Sequence, residues 1–474
     1  MTTLATPSRR LRDHVEKLVA VIAIAAVLYF PTSLSIEARL TLAVFIGAIF
    51  LWVFSTIPDT YVALAAASLL AVLGILSAED FFEPLGHDTT WLLIGAFIIA
   101  TAVTSSGLAL RVTSWLSVGI KSPRVLVHLI TLALVCTAFM VPATSGRAAL
   151  VLPVFLALVP ILEAGHRWLL VTLSIAMPSV VLLSAVASFI GAGAHLITDQ
   201  ILSEQDLGSI GFSKWMLYGL PFAVVSSHVS AEVILLLTST KQQRQQQLQI
   251  EAQDFPDTSS NLGEKRSLAV LLIAVALWFT ESIHSIPPAL VAVVCALLIS
   301  SPHFGAVDLN QAIKKIPWSL LLFMTATVAL SEALSESGAA EAMASGVFSL
   351  VNDSNAAWMF IVIVIALSTA AHLFIQSRSA RSAVLIPIVV ALAPACGVNP
   401  VAAAFLSTAA AGFCHTLPSS AKPLTIFYCE DQSRPSFTNA QLMRISATLA
   451  PIHMILLAIF STVIWPALGL NLFQ

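Results

Sequence analysis

Apolar runs of near-membrane length recur from Val15 to the C-terminus, separated by short polar or turn-forming segments. A helix needs about 20 such residues to cross roughly 30 Å of hydrocarbon. The pattern predicts spans near 15–30, 38–57, 60–78, 90–119, 168–202 and 213–238. After the polar stretch Lys241 to Arg266, it predicts spans near 267–283, 286–302, 318–350, 400–428 and 443–472. The expected fold is therefore an all-α polytopic membrane protein with about eleven transmembrane helices. Two further apolar stretches, 124–164 and 356–396, are each broken at the centre by small, polar and cationic residues. They are expected to be re-entrant hairpins, which lipid tolerates only where the tip lines a protein cavity.

Composition sharpens this picture. The chain has 474 residues, 58% hydrophobic and 10% charged, with a formal net charge of −3. Soluble domains carry about 25% charged residues, so a cytosolic enzyme, a nucleic-acid binder and a secreted disulfide scaffold are excluded. The five cysteines, Cys136, Cys295, Cys396, Cys414 and Cys429, show no metal or redox spacing, and no metal site is expected. Arg9, Arg10 and Arg12 precede an apolar run that lacks a clear small-x-small cleavage site, as in an uncleaved first helix. Under the positive-inside rule, Lys121, Arg124, Arg167, Lys241, Arg244, Lys265, Arg266, Lys314 and Lys315 fall with the N-terminus on the cytoplasmic side. Acids such as Glu79, Asp80, Glu83, Glu204 and Glu336 fall outside, as does the C-terminus. The organisation read from this is an N-terminal segment and first helix over 1–37, a first half over 38–240, a cytoplasmic linker over 241–266 and a second half over 267–474.

The halves repeat each other. Thr144-Ser145-Gly146-Arg147 through Pro153 aligns with Arg378-Ser379-Ala380-Arg381 through Pro387, so Ser, Arg and Pro coincide at the two hairpin centres. An odd number of crossings between the copies gives them opposite orientation, the arrangement of secondary transporters with broken helices. Each hairpin is followed by an apolar helix interrupted by small and polar residues. The first interruption runs through Ser188, Gly191, Gly193 and His195; the second runs through His415, Thr416, Ser419, Ser420 and Lys422. A helix starting after each tip offers unpaired N–H groups and a dipole that favour an anion. Serine and threonine hydroxyls add neutral donors, and Arg147, Arg381 and Arg378 add guanidinium forks suited to carboxylate or sulfate. The expected substrate-binding set is Thr144, Ser145, Gly146, Arg147, Ser188, Ser377, Arg378, Ser379, Arg381, Thr416, Ser419 and Ser420.

Alternatives stand beside these readings. Arg147 and Arg381 could bind backbone carbonyls as structural plugs, and Arg378 and Lys422 could pair with Glu232 or Asp199. His228 and Glu232, four apart on one helix, could line the transport path or satisfy each other. His195 and His415 could carry a proton or simply pack.

In these motifs the sequence resembles the divalent anion/sodium symporter family, which carries dicarboxylates, citrate or sulfate. The resemblance covers nearly the whole chain and rests on Trp91 to Arg111, the apolar-Pro endings at Pro153 and Pro387, Ala187-Ser188-Phe189-Ile190-Gly191, and Leu417-Pro418. It implies a homodimer in the cytoplasmic membrane, with a scaffold domain and a transport domain that moves as an elevator. The implied substrate is a small divalent or multivalent anion, with a di- or tricarboxylate ahead of sulfate, another oxyanion or a sulfonate. Na+ or H+ is the possible coupling ion, and no other cofactor or nucleic-acid partner is expected. Where the family pattern has Ser-Asn-Thr at each tip, this chain has Ala143-Thr144-Ser145 and Ser377-Arg378-Ser379. Where the pattern has Thr-Pro-Pro after each broken helix, it has Thr198-Asp199-Gln200 and Ala421-Lys422-Pro423. These departures lead to the expectation that fixed cations replace at least one sodium, giving a sodium-independent exchanger, a facilitator or a proton-coupled carrier. Gly191, Gly193, His195, His415 and Lys422 are the residues placed at the coupling-ion or proton positions. No nucleotide-binding loop or His-Glu-x-x-His motif occurs, so the protein is not read as an enzyme.

Overall fold

The computed structural model describes residues 34–108, 111–112, 117–251, 262–340, 356–429 and 434–473, and the first predicted span, 15–30, lies outside them. Among the described residues no named strand forms; an isolated antiparallel bridge joins Val398 and Phe473. In chain order the helices are α1 Ile36–Phe54, α2 Asp59–Val72, α3 Ala78–Gly86, α4 Asp88–Ser105, α5 Pro123–Cys136, α6 Thr144–Leu183, α7 Gly193–Glu204, α8 Gly211–Thr238, α9 Lys241–Gln245 and α10 Leu262–Phe279. They continue with α11 Glu281–His284, α12 Pro288–Ile299, α13 Leu309–Lys314, α14 Trp318–Glu336, α15 Ala356–Ala370, α16 Arg378–Leu392, α17 Pro400–Ala410, α18 Lys422–Phe427 and α19 Asn439–Ile459. Helix α6 is two helices joined at a kink, where His166 leaves helical geometry at φ −134° and ψ 33°.

By length and composition, 8 helices among the described residues could cross a membrane. The sequence pattern predicts more, and the difference has a local cause. Asp59–Val72, Pro288–Ile299 and Pro400–Ala410 are apolar but only 10 to 17 residues long, and the predicted spans 168–202 and 400–428 are each split by a break.

One backbone itinerary occurs twice. Helices α5 and α15 each end in a short 3-10 turn, Thr137–Phe139 and Ala371–Leu373, followed by four non-helical residues and a new helix. In the first copy Pro142 is followed by Ala143 at φ 103°, left-handed territory that strains a residue with a Cβ. In the second copy Ser377 caps α16, its hydroxyl accepting from Ala380 N at 3.2 Å. The later breaks match still more closely. Ser188 (φ −127°, ψ 142°) and Leu417 (−130°, 155°) are extended, a three-residue 3-10 turn follows each, and Ala192 (−158°, 147°) and Ala421 (−155°, 140°) are extended again before α7 and α18. Thr144 therefore falls opposite Arg378, and Gly193 opposite Lys422. His195 and His415, expected at comparable places, are not: one follows its break and the other precedes it.

Packing crosses the two copies. Helix α18 lies against α6, and α7 lies against α16, so each broken helix is seated on the other copy's hairpin. Helices α5, α6, α8, α15, α17 and α19 pack around this crossed unit, whereas α2 and α4 pack chiefly on α14 and α12. The first break also needs bare backbone. A Cβ on Gly191 would lie 2.0 Å from Ala185 O, and one on Gly219 of α8 would lie 2.0 Å from Val186 O.

Gly191→Ala is expected to destabilise the protein by about 1–3 kcal/mol or more, because its contact is with backbone that cannot swing aside. A thermal melt of the detergent-purified variant equal to the parent's would contradict this packing.

Candidate functional site

The two hairpin tips meet across one cavity of about 510 Å³. Thr144, Ser145 and Gly193 reach it from the first copy; Ser377, Arg378, Ser379, Arg381, Ser419, Ser420 and Lys422 reach it from the second. Both helix starts that follow the tips, those of α6 and α16, therefore open onto it, and their free N–H groups and dipoles favour negative charge there. Contact between the copies is tight: a Cβ on Gly193 would come within 3.1 Å of Ser379 Oγ.

Arg378 spans the cavity wall. Its Nη1 donates to Leu182 O at 3.3 Å, and its Nη2 lies 3.2 Å from His195 Nε2. A guanidinium has only donors, so His195 Nε2 accepts. The other ring nitrogen, Nδ1, then donates to Ser188 O at 3.0 Å. His195 is thus held as the neutral tautomer, a fixed acceptor beside a fixed cation. Arg381 is 1% exposed, with Nη1 3.5 Å from Phe413 O and Nη2 donating to Cys414 Sγ at 2.8 Å. The buried Nε atoms of Arg378 and Arg381 have no hydrogen-bond partner among the described atoms.

Several expected site residues stand away from the cavity lining. Arg147, 0% exposed, donates from Nε to Thr137 Oγ1 at 2.9 Å, from Nη1 to Val181 O at 3.0 Å, and from Nη2 to Leu134 O at 2.7 Å and Ser184 Oγ at 2.6 Å. Those partners are the helix ends around the first hairpin, so the fork clamps α5 to the end of α6 with little left for a ligand. Thr416 is engaged by His372 Nε2 at 2.6 Å and Ser446 Oγ at 3.2 Å. His415 Nδ1 accepts from Cys414 N at 3.2 Å. Gly146, Ser188 and Gly191 shape the tip and the break from behind the lining.

The acids also differ from the sequence expectation. Asp199 accepts from Ser209 Oγ and Ile210 N, both at 2.7 Å, and lines a separate cavity of about 540 Å³ with Asp88, Lys214 and Glu281. Glu232 accepts from Arg124 Nη2 at 2.5 Å and meets His128 Nε2 at 3.0 Å, while His128 Nδ1 lies 2.9 Å from His228 Nδ1. His228 and Glu232 are therefore joined through His128, which sequence spacing within one helix could not reveal. Neither acid serves Arg378 or Lys422. The carboxylate in the cavity is Asp59, at the start of α2, which accepts from the Ser377 hydroxyl and lies within Coulombic reach of Lys422. Asp59 and its neighbours Gln376 and Ser319 carried no motif. The one sequence signal for Asp59 was an acid at the head of an apolar run.

The cavity lining thus holds three basic side chains and one acid, two positive charges in excess, between two helix N-termini. This is an arrangement for a small multivalent anion. The family model described as the sodium:sulfate symporter transmembrane region matches residues 12–471. The chain belongs to the sodium:sulfate symporter family. This symporter-family chain is 24% identical to a membrane protein of Cupriavidus necator over 498 residues, covering 98% of this chain and 94% of that one. It is 24% identical over 431 residues to the sodium-dependent dicarboxylate transporter SdcS of Staphylococcus aureus, strain bovine RF122, covering 84% and 81%. Among solved structures it is similar to the YdaH transporter of Alcanivorax borkumensis, with a TM-score of 0.56 and 14% identity over 91% of this chain and 99% of that one. It is also similar to MtrF of Neisseria gonorrhoeae, one of a class of antimetabolite efflux pumps, with a TM-score of 0.57 and 15% identity over 100% and 97%. Those two likenesses bear on the fold. Like its family, this symporter-family protein is a multi-pass membrane transporter and not an enzyme.

The two paired arginines should now separate by experiment. Arg147→Gln leaves buried carbonyls without donors and is expected to cost about 3 kcal/mol or more of stability. Arg381→Gln should keep a parent-like melting profile and weaken dianion binding at least tenfold. Parent-like stability in Arg147→Gln would reject its role as a clamp.

Proposed function

We propose that the protein is a secondary carrier of small divalent anions, dicarboxylates first, and that Arg378 stands in for at least one coupling cation. The observation that carries this reading is the cavity between the two tips, with its excess of two positive charges. A dianion there would neutralise the excess, accept from the helix-start amides and engage the unpartnered Nε atoms of Arg378 and Arg381. The sodium-dependent dicarboxylate transport in the name of SdcS supports the substrate class.

The cation reading rests on what surrounds Arg378. Breaking an apolar helix frees carbonyls that must find a donor or an ion. Here a guanidinium meets Leu182 O and the acceptor nitrogen of His195 at the first break. A bound sodium would duplicate a charge already present. Neutral His195, facing a permanent cation, serves as acceptor and not as proton carrier. The repeated itinerary supports two re-entrant hairpins in an inverted repeat, and the sorting of helices around α14 and α12 on one side and α6 on the other supports an elevator-type scaffold and transport unit. A homodimer in the cytoplasmic membrane, with the N-terminus and linker cytoplasmic, completes the proposal. Sulfate and other oxyanions are the second reading, since the same donors fit a tetrahedral dianion.

Counterflow in proteoliposomes tests both parts. Labelled succinate should accumulate against unlabelled succinate at similar rates in sodium and in choline salts, and sulfate should compete. A steep, saturable sodium requirement would reject the role given to Arg378; no counterflow with any dianion would reject the carrier.

A further inference from the structure

We propose that Asp59 is the counter-anion of the empty carrier: without substrate it neutralises part of the cavity's positive field, and an arriving dianion takes its partners from it. This rests on the reading of the cavity as a dianion site and concerns what happens when that site is vacant.

Asp59 is half-buried and lines the same cavity as Arg378, Arg381 and Lys422. Its contacts there are the hydroxyl of Ser377, the cap of α16, and the charge of Lys422, the first residue of α18. Both partners belong to the crossed unit that carries the tips. Asp59 itself belongs to α2, which packs on α14 and is tied to it by Thr60 Oγ1 donating to Ser319 O at 2.9 Å. The contact therefore joins one group of helices to the other at the binding cavity.

Charge balance gives the contact a function. A secondary carrier that performs net transport must return empty, and three cations enclosed at membrane depth without an anion would resist that passage. Asp59 removes one of the three. Substrate and Asp59 compete for Lys422 and Ser377, so the carboxylate weakens substrate binding while easing the empty return. An acid placed only to favour the first turn of α2 would do neither, since that effect is confined to its own helix.

The experiment compares Asp59→Asn with the parent, with Asp59→Ser as the second variant should the first fail to purify as a monodisperse protein. Succinate affinity is read by calorimetry, and the ratio of zero-trans efflux to counterflow is read in proteoliposomes. The expected result is roughly tenfold tighter succinate binding, counterflow retained, and an efflux-to-counterflow ratio at least tenfold lower. Adding Lys422→Gln to Asp59→Asn should bring that ratio back towards the parent's. Unchanged affinity and an unchanged ratio overturn the proposal and leave the dianion site standing, provided the parent binds succinate and Arg378→Gln does not. A parent that only exchanges, with no net efflux, also overturns it, because no empty return then exists. A parent that binds no dianion overturns the site and the counter-anion together.

Discussion

The structure depends on one constraint: backbone released from a helix inside apolar surroundings must find partners, and here arginine side chains provide many of them. Four interruptions open the helical ladder, at 140–143, 188–192, 374–377 and 411–421. Arg147 takes the carbonyls of Leu134 and Val181, Arg378 takes Leu182, and Arg381 lies by Phe413. A guanidinium can bridge several acceptors at once with a charge that never leaves. The breaks are thereby held open, and the helix starts beyond the two tips face a common space. Close approach does the rest, since Gly191 and Gly219 let backbone touch backbone where any side chain would intrude.

The same chemistry divides two arginines that look alike in sequence. Arg147 and Arg381 occupy matching places after matching tips, but four hydrogen bonds engage the first and hold it off the cavity, whereas the second faces it. What separates them is the environment contributed by distant segments. Thr137 and Ser184 offer hydroxyls to Arg147; Arg381 finds the thiol of Cys414 and a long contact to Phe413 O.

Much of this was legible in the chain. Apolar run lengths gave the helical membrane class, and the Ser, Arg and Pro coincidences located both tips, because these signals are local. The breaks were visible in Gly191, Gly193 and Pro418 for the same reason. Other features depend on tertiary placement, which no periodicity encodes. Asp59 reaches the cavity only because α2 is seated against α14; Glu232 is claimed by Arg124 and His128 from α5; Asp199 turns to Ser209 and Ile210. The spans at 60–78 and 286–302 came out short because hydrophobicity continues past the point where Leu73 and Ser300 end their helices.

The twofold itinerary is faithful in backbone and unfaithful in charge. Where the first copy has Thr144 and Gly193, the second has Arg378 and Lys422. Every basic side chain lining the cavity therefore comes from one copy, while the other supplies hydroxyls and helix-start amides. The space has a head and a tail. A symmetric two-headed anion entering it would have inequivalent ends, one held by salt-bridge chemistry and the other by neutral donors. A substituent near one end would accordingly be felt differently from the same substituent near the other, so the chamber is built to distinguish orientation as well as charge.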